Sequence, residues 1–255
     1  MAEQVEFARA NFILEIRLNR PEKKNAITEA MYAAMAAALV EAEPDPAIRV
    51  VLFSGNGSAF CAGNDLSDFV ASPPVGTEAP VFRFLRAVSE SSKVLIAGVQ
   101  GAAIGIGTTL LLHCDLVVAA KGARLALPFV NLGLVPEAAS SLLLPRLIGH
   151  QRAAELFLLG ESFDAATALG FGLVNRVVEE DEVLATARGL AQKVAAKAPS
   201  AVRLIKRLMR SKSATVRERM EEEARDFAGQ LGSAELQEAV TAFFEKRAPD
   251  FSRSL

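Results

Sequence analysis

Apolar segments of strand length alternate with helical patterns in the first half of this 255-residue chain, and this alternation limits the possible folds more than any other feature. Residues 50–53, 94–99 and 116–120 are continuous apolar runs, as buried strands are. From residue 140 onward the patterns are almost wholly helical. Strands interleaved with helices are typical of an α/β core. The sequence therefore predicts an α/β core followed by a helical C-terminal region.

Local signals place the ends of several elements. Residues 12–18 predict a half-buried strand that stops at Pro21. Thr28 is the expected N-cap of a helix that ends before Pro44. A helix is also expected within residues 82–88, and another at 108–112. Residues 71–79 are rich in proline, glycine and serine, which predicts a loop.

Composition excludes several classes of protein. Hydrophobic residues make up 51% of the chain, enough for a large core, and the formal net charge of −2 argues against a dedicated nucleic-acid binder. Two cysteines are too few for a disulfide framework. We see neither a signal peptide nor a membrane span, and residues 253–255 differ from the peroxisomal Ser-Lys-Leu signal. We therefore expect a cytoplasmic protein.

Three glycines, Gly101, Gly105 and Gly107, follow the second buried run and precede an apolar helix. Glycine permits positive φ, and a helix N-terminus presents unpaired N–H groups, so this turn could aim backbone donors at an anion. A tight strand-to-helix turn explains the same residues. The spacing does not fit a dinucleotide fingerprint, because Phe129 stands where an acidic residue is needed.

Metal and nucleophile chemistry are not expected. His113, Cys114 and Asp115 are adjacent and point in different directions, so we predict no metal site there. His150 lies beside an expected helix boundary, and neither histidine has an evident serine or cysteine partner. Residues 193–219 carry nine basic side chains, which indicate a solvated helical surface or, as the alternative, phosphate binding.

Glu137 is an isolated carboxylate that follows two glycine-bearing turns, residues 59–65 and 101–107. A single carboxylate beside backbone donors suggests proton transfer next to a stabilised oxyanion, whereas water addition would call for two. The alternative is structural, since Pro136 and Glu137 would also suit the first turn of a helix.

Taken together, these segments resemble the enoyl-CoA hydratase/isomerase, or crotonase, family. The resemblance runs from residues 19–21 to 243–247 and is most specific at 59–65, 99–116 and 168–174. It implies an α/β fold, a crotonase-like spiral of ββα units, with a helical C-terminal trimerisation region. It places the core at residues 1–195 and the helical region at 196–255. The implied assembly is a homotrimer or a dimer of trimers.

The resemblance also implies a site. The amides of Asn64 and Ile106 would form an oxyanion hole for the thioester carbonyl of an acyl-CoA substrate. Coenzyme A is then part of the substrate, with no separate cofactor. The other implied substrate or CoA contacts are Ala62, Gly63, Asp65, Lys24 (or its neighbour Lys23), Phe129 and, from a neighbouring subunit, Lys246.

The hydratase pattern is broken at both acidic positions. Thr109 and Phe129 occupy the places of the two hydratase glutamates, so efficient hydration is not expected. Glu137 falls where the peroxisomal-type Δ3,Δ2-enoyl-CoA isomerases carry their single glutamate, and an apolar setting with Leu134, Val135 and Phe129 should raise its pKa. The resemblance thus implies isomerisation of 3-enoyl-CoA. The alternatives are dienoyl-CoA isomerisation, thioester hydrolysis, weak hydration, or non-catalytic binding of acyl-CoA or RNA.

Overall fold

A computed structural model describes residues 3–71, 73, 76–211 and 215–252. The described chain forms nine strands: β1 (Val5–Ala10), β2 (Ile13–Leu18), β3 (Val50–Gly55), β4 (Val94–Val99), β5 (Ala102–Ile104), β6 (Leu116–Ala120), β7 (Arg124–Ala126), β8 (Ser162–Asp164) and β9 (Arg176–Val178). It forms eleven helices: α1 (Glu29–Ala42), α2 (Leu66–Ala71), α3 (Pro80–Glu90), α4 (Ile106–Thr109), α5 (Ser140–Ile148), α6 (His150–Leu159), α7 (Ala165–Gly170), α8 (Val183–Ala195), α9 (Pro199–Arg210), α10 (Val216–Leu231) and α11 (Ala234–Phe244).

The main sheet has six strands in the order β1-β2-β3-β4-β6-β9. Only β1 and β2 pair antiparallel within it; the other neighbours are parallel. Every residue of β4 is buried, as expected for a parallel strand covered on both faces. The predicted α/β core is confirmed, although β1 and β9 were not predicted, and β9 lies in the region expected to be helical.

A second sheet of three short strands, in the order β5-β7-β8, was also not predicted. Each strand has three residues, too few to show a period in the sequence. This small sheet fixes the glycine turn, because Gly105 N–H donates to the Ala126 carbonyl at 2.9 Å and Thr108 Oγ1 donates to the Ala103 carbonyl at 2.5 Å.

Helices cover both faces of the main sheet. On one face Tyr32 of α1 and Phe84 of α3 have ring centroids 5.5 Å apart, and Phe84 meets Phe53 of β3 edge-on. On the other face α8 packs closely on β4, where a Cβ added to Gly98 would lie 3.4 Å from the Ala187 side chain. The helix predicted after Thr28 is confirmed as α1, and Thr28 Oγ1 accepts from the Met31 N–H at 3.3 Å.

The C-terminal helices are attached to the core by two cations, one buried and one partly buried. Lys206 of α9 is 3% exposed and lies 2.8 Å from the Asp115 carboxylate. Arg49 donates to the carbonyls of Ala195, at 2.9 Å, and Phe251, at 2.6 Å. An open apolar groove of about 1090 Å³ runs between α9, α10 and α11. No helix in the described ranges is long and apolar enough to cross a bilayer.

Two predicted boundaries need correction. The helix expected at 108–112 begins two residues earlier, as α4, and continues as a 3₁₀ turn over Leu110–His113. The loop predicted at 71–79 lies partly outside the described residues; of its described part, residues 76–79 form turns and bends that lead to α3.

Candidate active site

The two glycine-bearing turns lie against each other. Cys61 N–H donates to the Ala102 carbonyl at 2.9 Å, and Ile104 N–H donates back to the Cys61 carbonyl at 2.9 Å. The contact is too close for larger residues, since a Cβ on Gly107 would lie 2.7 Å from the Cys61 carbonyl oxygen. Segments far apart in the sequence therefore form one continuous backbone surface.

Two backbone N–H groups on this surface have no partner among the residues that the structure describes. Hydrogen bonds from Ile27 N to the Gly63 carbonyl and from Asp65 N to the Ile27 carbonyl flank Asn64 but do not use its N–H. Ile106 is the first residue of α4, where helical N–H groups lack an acceptor within the helix. Among the described residues, neither the Asn64 nor the Ile106 N–H donates a hydrogen bond. Both can therefore serve a ligand.

Asn64 is held from the core side. The hydroxyl of Tyr32 donates to Asn64 Oδ1 at 2.6 Å, and Tyr32 is 4% exposed. Burial raises the pKa of Tyr32 well above its ordinary value, and the nearby acidic groups of Cys61 and Glu137 add to this, so the phenol stays protonated. The Tyr32 ring therefore fixes the conformation of Asn64 while its N–H is left available.

The Glu137 carboxylate reaches the same place. Thr109, fully buried at the end of α4, donates a hydrogen bond from Oγ1 to Glu137 Oε1. The carboxylate thus contacts the residue that is three positions after Ile106 in the same short helix. Burial raises the pKa of Glu137 to about 6, and the hydrogen bond from Thr109 opposes part of that rise. Such a carboxylate is a stronger base than an exposed one.

The direction of this pKa shift was predicted, but its stated source was partly wrong. Leu134 and Val135 are exposed, at 44% and 79%, and do not enclose the carboxylate. Phe129 is buried, at 8%. The buried residue that contacts the Glu137 carboxylate is Thr109.

The turn around Glu137 also differs from the predicted helix start. Glu137 precedes α5 by three residues, and Ala138 and Ala139 both adopt left-handed conformations, with φ of 54° and 53°. Such a conformation costs an L-residue about 1–2 kcal/mol. The Glu137 carbonyl accepts from Ser140 N at 2.9 Å and Ser140 Oγ at 2.6 Å. The structural interpretation of Pro136 and Glu137 as the first helical turn is thus wrong.

The remaining expected contacts divide into two groups. Ala62 and Gly63 belong to the first turn. Ala62 N–H donates to the Lys24 carbonyl at 2.9 Å, so Lys24 lies beside this turn, with its side chain exposed. Lys23 is exposed as well, whereas Lys246 follows α11, outside this hydrogen-bonded group, and is also exposed.

Asp65 is engaged within the protein. Its carboxylate accepts from Ser67 and lies 2.6 Å from Arg20, and these contacts hold the pKa of Asp65 well below its ordinary value. The same carboxylate accepts from the Ser67 and Asp68 N–H groups at the start of α2. Asp65 therefore organises the backbone next to Asn64.

Sequence reasoning missed the parts played by Thr109, Tyr32 and His113. Thr109 was noted only as the residue at a hydratase glutamate position. Its hydrogen bond to Glu137, 28 residues away in the sequence, was not predicted. The ring of His113 contacts the Ala138 carbonyl, with Nε2 2.8 Å from the oxygen. No three His, Cys, Asp or Glu side chains of the described residues are grouped so that they could hold a metal ion. Only the burial of each polar residue within an apolar pattern could have signalled these roles.

A family model for enoyl-CoA hydratase/isomerase matches residues 8–254. The chain belongs to this family. It is therefore a crotonase-type acyl-CoA enzyme. Its fold superposes with a TM-score of 0.95 on an enoyl-CoA hydratase/carnithine racemase homologue from Magnetospirillum magneticum AMB-1, at 47% identity, with 99% of this chain and 100% of that chain covered.

Related sequences carry the names of different reactions. The 1,2-epoxyphenylacetyl-CoA isomerase of Escherichia coli K12 is 35% identical over 248 residues, covering 94% of this chain and 95% of the relative. The 2,3-dehydroadipyl-CoA hydratase of the same organism is 34% identical over 249 residues, with 96% of each covered. The family is thus established, while the resemblance to the peroxisomal-type isomerase branch stays a prediction.

Proposed function

We propose that this member of the enoyl-CoA hydratase/isomerase family is a Δ3,Δ2-enoyl-CoA isomerase in which Glu137 is the single acid–base group. The observation that carries the proposal is the half-buried Glu137 carboxylate, hydrogen-bonded to Thr109, which is three residues after Ile106 and its unpaired N–H in α4. Buried Thr109 and Phe129 occupy the hydratase glutamate positions. One base and two free N–H groups suit proton transfer without water.

The reaction then has two proton transfers. The Glu137 carboxylate removes a proton from C2 of the 3-enoyl thioester, and the C–H electron pair delocalises into a dienolate. The protonated Glu137 then returns a proton to C4, which leaves the double bond between C2 and C3. A pKa of about 6 suits both steps, because the group must accept a proton and release it again near neutral pH.

The dienolate oxygen would bind the N–H groups of Asn64 and Ile106. Donors aimed at a developing negative charge each contribute about 3 kcal/mol to transition-state stabilisation. Only backbone is required, so the side chains of these residues do not limit the role. Tyr32 and the small sheet, which hold these two positions, support it.

The proposal also includes the residues that would bind coenzyme A and the assembly of the subunits. Lys24 or Lys23 beside the turn residue Ala62, and Lys246 from a neighbouring subunit, would contact the phosphates of coenzyme A. Residues 196–255 would form the trimerisation region, with the apolar groove between α9, α10 and α11 covered by a second copy of the chain. No further cofactor is needed, and we expect the enzyme in the cytoplasm.

Hydration is the second candidate, because several relatives are named hydratases. Water addition requires a group that activates water and a group that handles the C2 proton. Glu137 alone cannot efficiently supply both. Replacing Thr109 and Phe129 by glutamate would not simply add hydratase activity. Both positions are buried, and an unpaired charge there would destabilise the fold.

The discriminating experiment is a substrate screen with purified wild-type protein and 3-enoyl-, 2-enoyl- and dienoyl-CoA thioesters. We expect turnover of 3-enoyl-CoA and hydration of 2-enoyl-CoA lower by two or more orders of magnitude, the usual contribution of one missing acid–base group. A competing acyl-CoA checks that each thioester binds. Hydration at or above the isomerase rate would reject the assignment, and binding without any turnover would indicate a non-catalytic acyl-CoA protein.

A further inference from the structure

The turn that carries Glu137 is fixed through its backbone carbonyls. Ser140 donates to the Glu137 carbonyl, and Leu142 N–H donates to the Ala139 carbonyl at 3.0 Å. Both donors belong to α5, the helix into which the turn leads. The Ala138 carbonyl instead accepts from His113, which lies in a different part of the fold.

His113 lies four residues after Thr109, at the end of the 3₁₀ turn that continues α4. Thr109 contacts the Glu137 carboxylate, and His113 contacts the carbonyl of the next residue. This segment therefore holds both the side chain and the backbone of the Glu137 turn.

The His113 ring is a neutral hydrogen-bond donor. It is 7% exposed, and burial lowers its pKa below the ordinary value, as do the positive charges of Arg210 and Lys206. Its Nε2 faces the Ala138 carbonyl oxygen at 2.8 Å, and a carbonyl can only accept, so the ring proton is on Nε2.

We propose that His113 is a positioning residue for the Glu137 carboxylate, an inference that rests on the isomerase function proposed above. The ring fixes the peptide group that follows Ala138, next to two left-handed alanines, and so sets the direction in which the Glu137 side chain leaves the backbone. A displacement of a reacting group by about 1 Å can lower the rate about a hundredfold.

The packing of residues 113–115 against α9 does not depend on the His113 ring. Arg210 donates to the backbone carbonyl of His113 at 2.8 Å, and Lys206 pairs with Asp115. Neither contact uses the His113 side chain. The ring's bond to Ala138 can therefore be tested separately.

The test compares His113→Leu, which removes the donor, with His113→Gln, whose amide NH₂ lies near the position of Nε2. We expect His113→Leu to lower kcat for 3-enoyl-CoA roughly a hundredfold with KM nearly unchanged, and His113→Gln to restore most of it. The acid limb of kcat/KM, expected near pH 6 for the wild type, should move to lower pH in His113→Leu, because a released carboxylate is better hydrated. His150→Asn, at an exposed histidine, is the control.

Wild-type kcat in a folded His113→Leu variant would overturn the inference, and so would equal losses in the Leu and Gln variants. If His113→Leu does not fold, His113→Asn replaces it, since its shorter amide does not reach the Ala138 carbonyl; unchanged kcat there overturns the inference equally. Glu137→Gln is assayed in parallel. Its inactivity together with a fully active His113→Leu rejects only the positioning role, whereas activity of Glu137→Gln rejects the proposed function itself.

Discussion

Glu137 is a residue whose environment favours reactivity over stability. In the folded protein burial raises its pKa from 4.5 to about 6. Because the folded-state pKa is the higher one, proton binding stabilises the fold: this contribution is complete below about pH 4.5 and is lost as the pH rises through 6. At neutral and higher pH the ionised carboxylate therefore costs about 2 kcal/mol.

Replacing Glu137 by glutamine should remove this cost, since the amide oxygen can still accept from Thr109. We expect Glu137→Gln to raise the free energy of unfolding at about pH 8 by up to about 2 kcal/mol, and to have little effect at about pH 4. Urea unfolding at the two pH values measures the difference. A variant that is less stable than the wild type at the higher pH would show that the carboxylate is not desolvated.

At the scale of elements, the site depends on the close contact between α4 and the 61–63 segment. Gly107 lies in this contact, where a Cβ would come within 2.7 Å of the Cys61 carbonyl oxygen. The nearest atom is backbone, and the next two are Cβ and Sγ of the same buried Cys61, which leaves little room to move away. Any added methyl group must therefore displace the Ile106 N–H relative to the Asn64 N–H.

We expect Gly107→Ala to lower kcat/KM at least tenfold and to destabilise the fold by about 1–3 kcal/mol, the usual cost of overpacking. Gly189→Ala is the matched control: this helical glycine of α8 has open space around its missing Cβ, so the change should stabilise by up to about 1 kcal/mol. Steady-state kinetics and thermal unfolding measure both variants. Unimpaired kinetics in Gly107→Ala would mean that the contact between the turns does not set the site.

Some of these elements could be predicted from the sequence and others could not. Long, strongly patterned elements such as β3, β4 and α1 were predicted because their periodicity or apolar length is local information. The three-residue strands were not, because they exist only through pairing with distant segments. The left-handed Ala138 and Ala139 were not predicted either, since alanine has no preference for positive φ.

For the candidate site, the positions of Asn64, Ile106 and Glu137 came from the family resemblance together with the glycine turns. The structure places these turns in contact and brings Glu137 to the end of α4. Tyr32, which holds Asn64, and Thr109 and His113, which hold the Glu137 turn, could not be found from local patterns. Their hydrogen bonds join residues 25 to 32 positions apart, and local sequence patterns do not show which distant residues come into contact.

At the scale of the whole molecule, fold and family are shared with enzymes named for different reactions, so they do not decide the chemistry. The central claim is that one carboxylate carries both proton transfers. A variant that keeps the shape of residue 137 but removes its basicity isolates this claim from binding and folding.

The most direct measurement is therefore kcat of purified Glu137→Gln with 3-enoyl-CoA, taken beside the wild type, with acyl-CoA binding measured on both proteins. We predict a loss of about 10²–10⁴-fold in kcat, the contribution of a positioned acid–base group, with acyl-CoA affinity retained. Turnover close to that of the wild type in the folded, acyl-CoA-binding variant would contradict the assignment of Glu137 as the single base.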